Sequence, residues 1–333
     1  MQPSIAQSIA CQPHFQKLSL VFFPAVFHTY AMDGIYLGMD GGGTRCRLAV
    51  WDADKNLIYE DTGESSNPYA VGFQEAQDHV KQLLSPYLNS KAATDKPILG
   101  FCFGSAGLGR KDEHQRWEHF FDQTFPTLVP RLLVSDATLL LAGSHLEPTG
   151  LCLICGTGSI CLGRNKTGME VRSGGLGIAL GDEGSGWWIA HEAIKRCYRS
   201  SEGRDLQTKM TTSLLSFYGF SSLSEGIPYF NDRSRTKAEI AAFATLVGQA
   251  AEEGDELALS IYAEAADELA ALVGSVQHRL AEPYPKRLSL AGGVLAGDAL
   301  LRSMVCKRLD PRLATSLPKA GALQGALILA SRL

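Results

Sequence analysis

Two glycine-rich segments constrain the fold of this chain more than any other feature of its sequence. Each follows a short run of strand-forming residues, 35–40 in the first case and 151–155 in the second, and each precedes another such run. A strand, a glycine turn and a second strand in succession predict a β-hairpin. Because this plan occurs twice without a repeat of residue identities, we expect two related domains.

Helix and strand patterns alternate around the two hairpins. The predicted helices are 74–88, 187–198, 298–309 and two segments of 236–281 that meet at 254–255. The further predicted strands are 57–60, 97–103, 132–134 and 288–290. This alternation predicts an α/β fold.

The length of 333 residues exceeds the usual size of one hydrophobic core, which favours two domains around a cleft. The apolar run 18–27 is interrupted by Pro24 and has about half the length that a membrane-spanning helix needs. We therefore expect residues 1–31 to be a disordered extension or the product of a misassigned start. The predicted divisions are an extension at 1–31, an N-terminal domain at 32–148, a C-terminal domain at 149–316 and a helix at 317–333 that returns to the N-terminal domain.

Charge and cysteine usage narrow the choice of partner and compartment. The formal net charge of −4 provides no basic surface for nucleic acid or for an anionic membrane, so a small-molecule partner is favoured. The eight cysteines lie singly within apolar runs, which is typical of reduced thiols in a cytoplasmic protein. Cys152, Cys155 and Cys161 could also suggest a metal, but no second pair of ligands has the required spacing.

The glycine turns are suited to binding the phosphates of ATP. Glycine lacks the β-carbon that would keep phosphate oxygens away from backbone N–H groups, although a tight turn without a ligand has the same composition. Asp40 ends the first strand, where a carboxylate could hold Mg²⁺ through water. A third glycine pair, Gly292 and Gly293, follows the strand at 288–290. The chain lacks a P-loop lysine and a GxGxxG turn at these places, which disfavours the two commonest nucleotide folds.

These motifs resemble those of a known group of enzymes. The segments 40–44, 154–159 and 290–293 look like the two phosphate motifs and the adenosine motif of actin-like sugar kinases. More narrowly, the segments 135–137, 173–177 and 181–186 resemble the N-acetylglucosamine kinases and bacterial glucosamine kinases, which carry a BadF/BadG-type ATPase domain. The resemblance implies two RNase H-like domains around a central cleft, and ATP with Mg²⁺ as cofactors.

The resemblance also implies roles for individual residues. Asp136 matches the catalytic base that accepts the proton of the sugar hydroxyl, whereas the alternative for an aspartate at this place is a helix N-cap. Residues that match ATP-binding positions are Gly41, Gly42, Gly43, Thr44, Gly156, Thr157, Gly158, Ser159, Gly292 and Gly293.

The predicted contacts with the sugar come from both halves. Asn67 matches a sugar-binding position, although Asn-Pro is also a common turn. Asp182 matches a carboxylate that accepts from sugar hydroxyls, and Gly175 and Leu176 match backbone contacts beside it. Relatives often have Trp where Leu176 stands, which bears on the pocket for the acyl group. Ser105 lies after a strand where relatives also approach the sugar.

The sequence thus predicts a kinase that transfers the γ-phosphoryl group of ATP to the 6-hydroxyl of N-acetylglucosamine. Glucosamine is the alternative substrate. Two other classes stay open: an activator-type ATPase whose dimer bridges an iron–sulfur cluster, and a regulator that binds sugar without turnover. A homodimer is compatible with the sequence, which does not specify the oligomeric state.

Overall fold

The computed structural model describes residues 33–90, 95–108, 110–125 and 128–333. The predicted extension at 1–31 lies outside these residues. The first half of the described chain forms a five-stranded sheet with the order β3-β2-β1-β4-β5. Its strands are β1 (Ile35–Gly41), β2 (Arg45–Asp52), β3 (Leu57–Glu64), β4 (Ile98–Ser105) and β5 (Arg131–Val134).

The second half repeats this plan with the order β10-β9-β6-β7-β8. In each half the first three strands form antiparallel pairs in chain order. The fourth strand pairs in parallel with the first, and the fifth pairs in parallel with the fourth. The identical connectivity confirms the predicted relation between the two halves. The strands are β6 (Gly150–Cys155), β7 (Ser159–Arg164), β8 (Glu170–Gly174), β9 (Arg287–Ala291) and β10 (Ala314–Ser316).

Helices pack on both faces of each sheet. Those of the first half are α1 (Pro68–Val71), α2 (Phe73–Leu88), α3 (Lys111–Thr124) and α4 (Asp136–His145). The second half contains α5 (Gly186–Ser201), α6 (Met210–Tyr218), α7 (Leu223–Asn231), α8 (Lys237–Ala241), α9 (Ala244–Glu252), α10 (Glu256–Arg279), α11 (Gly293–Gly297) and α12 (Ala299–Cys306). The last helix, α13 (Ala322–Ala330), packs on β1, β2 and β4.

The two outer cores differ in composition. Aromatic side chains fill the space between the first sheet and its helices α2 and α3. The ring centroids of Phe103 and Trp117 among them lie 4.7 Å apart. Small and aliphatic side chains of α5, α9, α10 and α12 cover the second sheet. Strands β1 and β6 are buried because helices lie on both faces of each sheet, which explains their continuous apolar runs.

Helix α4 lies between the two sheets, and α13 packs beside it on the first sheet. Helix α4 contacts strands of both sheets, and α13 packs along α4. The two helices approach so closely at Gly325 that a β-carbon there would lie 1.8 Å from the carbonyl oxygen of Leu139. Only glycine therefore fits at this contact.

Most predicted elements are present, with shifted ends. The segment predicted as two helices across 236–281 forms three, α8, α9 and α10. Helices α6 and α7 and the edge strands β8 and β10 were not predicted, because short exposed elements lack a clear apolar period. The predicted domain boundaries stay predictions. Within the described ranges, no helix combines the length and apolar character that crossing a membrane requires.

Candidate active site

Three parallel strands of the first sheet end side by side and bring two carboxylates to one edge. Asp40 of β1 lies opposite Gly104 of β4, which lies opposite Val134 of β5. Asp136 follows two residues later, at the start of α4. The carboxyl edge of parallel strands is where open α/β sheets place their ligands.

Asp40 holds an ion pair at this edge. Its Oδ2 accepts from Nη2 of Arg47 at 2.5 Å, and the Asp40 side chain is 14% exposed. The described residues contain no cluster of three or more potential metal ligands. A Mg²⁺ ion at Asp40 would therefore take its other ligands from water and phosphate, which fits the preference of Mg²⁺ for one or two protein carboxylates.

Asp136 is the first residue of α4, and its side chain does not cap the helix. The N-cap is Ser135, whose Oγ accepts from the N–H of Thr138 at 3.2 Å. Asp136 Oδ1 accepts from the N–H of Ala137 at 2.9 Å. The N-cap role that competed with catalysis for Asp136 therefore belongs to its neighbour, and the Asp136 carboxylate is available to a ligand.

The surroundings of Asp136 raise its pKa. The side chain is open to solvent, yet densely packed protein atoms around this concave edge restrict its hydration, which is the main cause. The negative charge of Asp40 adds to the increase, and the hydrogen bond from Ala137 opposes it. A carboxylate with a raised pKa is a stronger base than an ordinary aspartate.

The loop before α1 is attached to the first glycine turn. Ser65 Oγ donates to the carbonyl of Gly42 at 3.2 Å. Asn67 caps α1 by accepting from the N–H of Tyr69 at 3.0 Å, as its turn-forming alternative predicted. A β-carbon built on Gly43 would lie 3.6 Å from Nδ2 of Asn67, so this amide is beside the turn. Both Asn67 roles, as a cap and as a sugar contact, are thus compatible with one position.

Ser105 is buried rather than open to the cleft. Its Oγ is fully enclosed and donates to the carbonyl of Ser66 at 3.5 Å. Ser105 pairs with Gly41 in the parallel register, so it lies directly beneath the first turn. In this conformation Ser105 supports the loop next to Asn67, and a direct contact with sugar stays a prediction.

The second glycine turn is closed by backbone hydrogen bonds. The N–H of Gly156 donates to the carbonyl of Gly158 at 2.9 Å, and the N–H of Gly186 donates to the carbonyl of Gly156 at 2.8 Å. Thr157 is exposed at the tip of this turn, as Thr44 is at the first. Both hydroxyls are therefore placed where a phosphate could accept from them.

The third glycine segment lies against the second turn. A β-carbon on Gly292 would lie 2.3 Å from the carbonyl oxygen of Cys155, and the φ of Gly292 is +88°. Both facts exclude a larger residue without distortion. The backbone nitrogen of Gly293 lies 3.8 Å from the position of a β-carbon on Gly156. The structure thus brings the predicted adenosine motif and one predicted phosphate motif together.

Asp182 is buried beside the same turn. Its Oδ1 accepts from the N–H of Ser159 at 3.1 Å, and its Oδ2 accepts from Nζ of Lys237 at 2.6 Å. Its φ of +66° is one that aspartate tolerates better than most residues. Lys237 was not predicted as a site residue, because 55 residues separate it from Asp182 and no local pattern marks the pair.

The loop that contains Gly175 and Leu176 is anchored at one end. The N–H of Gly175 donates to the carbonyl of Ser159 at 2.8 Å, which ties the loop to the second turn. The Leu176 side chain is 54% exposed. Leu176 is therefore an exposed apolar residue on this loop, and its contact with sugar stays a prediction.

The first turn of α4 connects the two groups of residues. Ala137, next to Asp136, belongs to an apolar cluster that includes Ile154 and Ile160, on either side of the second turn. Thr138 Oγ1 donates to the carboxylate of Glu170 at 3.1 Å. The Glu170 side chain is exposed, but surrounding protein atoms restrict its hydration and raise its pKa. The Asp136 end of α4 is therefore packed against the sheet that carries the second turn.

Cys152, Cys155 and Cys161, which could have suggested a metal site, are buried thiols. Burial raises the pKa of Cys152 and of Cys155 to about 12, and it raises the pKa of Cys161 well above its ordinary value. Cys155 Sγ donates to the carbonyl of Gly184 at 3.4 Å, directly below the second turn. Zinc binds thiolates, so these protonated and enclosed groups are poorly suited to it.

A groove of about 640 Å³ lies between α5, α7 and α8 and begins next to the second turn. Trp187 lines it and stacks on His191 with ring centroids 4.7 Å apart. Trp188 instead packs against the core of the second half. The two tryptophans therefore have different surroundings, the groove for Trp187 and the core for Trp188.

The comparison with known families decides the identity of the chain. The sequence model of the BadF/BadG/BcrA/BcrD ATPase family matches residues 37–330. The chain belongs to this family. Membership confirms the predicted resemblance and the use of ATP, whereas Mg²⁺ stays a prediction.

Relatives in the BadF/BadG/BcrA/BcrD family include kinases of amino sugars. An N-acetylmuramic acid/N-acetylglucosamine kinase from Clostridium acetobutylicum is 32% identical over 260 residues, which cover 78% of this chain and 85% of the relative. A glucosamine kinase from Vibrio cholerae is 23% identical over 89% of this chain and 96% of its own length.

A solved structure has the same fold as this chain. It is that of a Chromobacterium violaceum protein assigned provisionally as an N-acetylglucosamine kinase. The TM-score is 0.66 at 25% identity, over 90% of this chain and 99% of that chain. The predicted α/β class with two RNase H-like units is therefore correct.

Proposed function

We propose that this protein is an ATP-dependent amino-sugar kinase that phosphorylates the 6-hydroxyl of N-acetylglucosamine, with Asp136 as the general base. The observation that carries the proposal is the position of Asp136, a carboxylate with a raised pKa at the strand edge beside Asp40. The relatives named as kinases of N-acetylglucosamine and glucosamine support the substrate class.

Asp136 would accept the proton of the sugar 6-hydroxyl as that oxygen attacks the γ-phosphorus. A new oxygen–phosphorus bond then forms, and the bond between the γ-phosphorus and the β,γ-bridging oxygen breaks to release ADP. Little covalent chemistry falls to the protein in such a transfer, so positioning and neutralisation of charge provide most of the catalysis. Mg²⁺ would supply positive charge to the phosphates, and Asp40 with its bound water would hold it.

Two glycine turns would bind the nucleotide. The first turn contributes backbone N–H groups and the hydroxyl of Thr44, and the second contributes the hydroxyl of Thr157. Ser159 is buried, with its N–H donated to Asp182 and its Oγ to the carbonyl of Glu183, so it would support the second turn rather than contact phosphate in this conformation. Gly292 and Gly293 would flank the adenosine, because they lie against the second turn. Asn67 lies beside the first turn, which is the side from which the sugar would reach Asp136.

Glucosamine is the second candidate substrate, favoured by one observation. Leu176 replaces the tryptophan common among N-acetylglucosamine kinases, and its side chain is half-exposed. An activator-type ATPase would need accessible cysteines to bridge an iron–sulfur cluster. Six of the seven cysteines within the described residues are buried, which disfavours that class.

The proposal is tested with a coupled assay of ADP release on N-acetylglucosamine, glucosamine, glucose and N-acetylmuramic acid. We expect N-acetylglucosamine to give the highest kcat/KM, and NMR of the product to show phosphate on the 6-oxygen. Asp136→Asn should lose about a thousandfold in kcat, because the base is removed. Glu256→Gln is the control, since Glu256 is an exposed acid in the first turn of α10.

The outcomes of this assay test the substrate, the kinase activity and the catalytic base separately. A preference for glucosamine would select the second candidate, and absence of ADP release with all four sugars would refute the kinase. Near-normal turnover by Asp136→Asn would refute the assignment of the base alone.

A further inference from the structure

The buried pair of Asp182 and Lys237 lies beside the second glycine turn. The Asp182 side chain is 4% exposed and that of Lys237 is 31% exposed, and their charged atoms are 2.6 Å apart. The negative end of the pair is therefore enclosed and its positive end faces outward. An anion that approaches the turn meets the ammonium group first.

Lys237 is close to the backbone that would bind phosphate. A β-carbon built on Gly158 would lie 2.9 Å from Nζ of Lys237 and 2.6 Å from Oδ1 of Asp182. The same Oδ1 accepts from the N–H of Ser159, so Asp182 holds both the turn and the lysine. Lys237 therefore supplies a cation beside the second turn. Beside the first turn, the cation is Arg47, which is already paired with Asp40.

The start of α8 fixes the backbone of Lys237. Thr236 is the N-cap, and its side chain and that of Glu239 bond reciprocally to the backbone as a capping box. Lys237 follows at the first helical position, so its side chain begins from a defined point. One of the three ammonium protons is used by Asp182, which leaves donors for a ligand.

We propose that Lys237 is a phosphate-binding residue of the nucleotide site, positioned by Asp182. This inference rests on the proposed function, because it requires that the second turn holds the phosphates of ATP. Lys237 donates from Nζ to a phosphate oxygen and adds positive charge as negative charge accumulates during transfer. Asp182 holds Lys237 and the N–H of Ser159 in place, and its contact with sugar hydroxyls stays a prediction.

The test measures nucleotide binding by calorimetry without sugar, using a nonhydrolysable ATP analogue, ADP and adenosine. For Lys237→Met we expect the analogue and ADP to bind about 10- to 100-fold more weakly, and adenosine to bind as it does to the wild type. Lys237→Arg should recover part of the loss. Lys195→Met is the matched control, since Lys195 is an exposed lysine paired with a glutamate on α5.

A double variant covers the case in which Lys237→Met is unstable. Removing the lysine leaves a buried carboxylate without its partner, which destabilises a protein. Asp182→Asn combined with Lys237→Met removes both charges, and we expect its melting temperature to return towards that of the wild type while analogue binding stays weak.

The readouts separate this inference from the proposed function. Equal weakening of adenosine and the ATP analogue, or unchanged analogue binding, would overturn the role of Lys237 and leave the kinase in place. Failure of the wild type to bind any of the three ligands would refute the nucleotide site itself, and the inference with it.

Discussion

The two halves of the molecule have the same strand order but different chemistry at the ends of their strands. In the first half, the edge carries Asp40 and Asp136, with one arginine paired to Asp40. In the second half, the only carboxylate among the predicted site residues is Asp182, which is enclosed and paired with Lys237. A shared scaffold thus sets the positions of the turns, and a few side chains decide what each turn can do.

The connections within the halves explain part of this difference. Among the described residues, six helices separate β8 from β9, whereas α1 and α2 separate the corresponding strands β3 and β4. Lys237 is supplied by the longer connection, at the start of α8. The added helices therefore give the second half a cation that the first half obtains from its own sheet, at Arg47 of β2.

The largest effect is expected on stability, at the contact between helices α4 and α13. Gly325→Ala should lower the free energy of unfolding by about 3 kcal/mol, because its β-carbon would force α13 away from α4. The control is Gly274→Ala in α10, where no atom lies within 4 Å of the new β-carbon and a gain of about 0.5–1 kcal/mol is expected. Urea unfolding measures both. A loss under 1 kcal/mol at Gly325 would show that the halves do not depend on this contact.

The second largest effect is expected on kcat/KM when Asp40 of the first half or Asp182 of the second half is replaced. Asp40→Asn should lower kcat/KM for ATP by about a hundredfold at limiting Mg²⁺, and excess Mg²⁺ should recover part of it, because Asp40 acts through the metal. Asp182→Asn should cause a loss that is the same at all Mg²⁺ concentrations, because the Asp182 carboxylate is held by hydrogen bonds from Ser159 and Lys237. Titration of Mg²⁺ in steady-state assays distinguishes them, and identical Mg²⁺ dependences would remove the distinction drawn between the halves.

The smallest effect concerns the stability of the first half and its pH dependence. The folded pKa of Asp136 is raised above its unfolded value, so its contribution to stability is present below the unfolded pKa and is lost as pH rises through the folded pKa. Because solvent reaches the Asp136 side chain and weakens this effect, Asp136→Asn should raise the melting temperature only slightly at neutral pH and leave it unchanged in acid. Glu256→Gln should show no such gain. A lower melting temperature for Asp136→Asn at neutral pH would mean that the carboxylate stabilises α4 instead.

The sequence predicted the hairpins, the duplicated plan and the grouping of the glycine segments, because these follow from local patterns of apolar and glycine residues. Site residues that lie on turns and strand ends, such as Gly41 and Gly292, were therefore predictable from the sequence. Contacts between distant segments were not. Lys237 and the buried position of Ser105 depend on how separate elements pack, and no spacing within one segment encodes that packing.

The thiol of Cys155 gives the second half a natural reporter. It lies beneath the Gly156 turn and donates to the carbonyl of Gly184, shielded from solvent. A thiol reagent can modify it only when the surrounding backbone opens, since the protonated, enclosed group is unreactive. The rate of its alkylation would therefore follow local opening at this site in the unlabelled native protein, and a bound nucleotide that holds the turn closed would slow it.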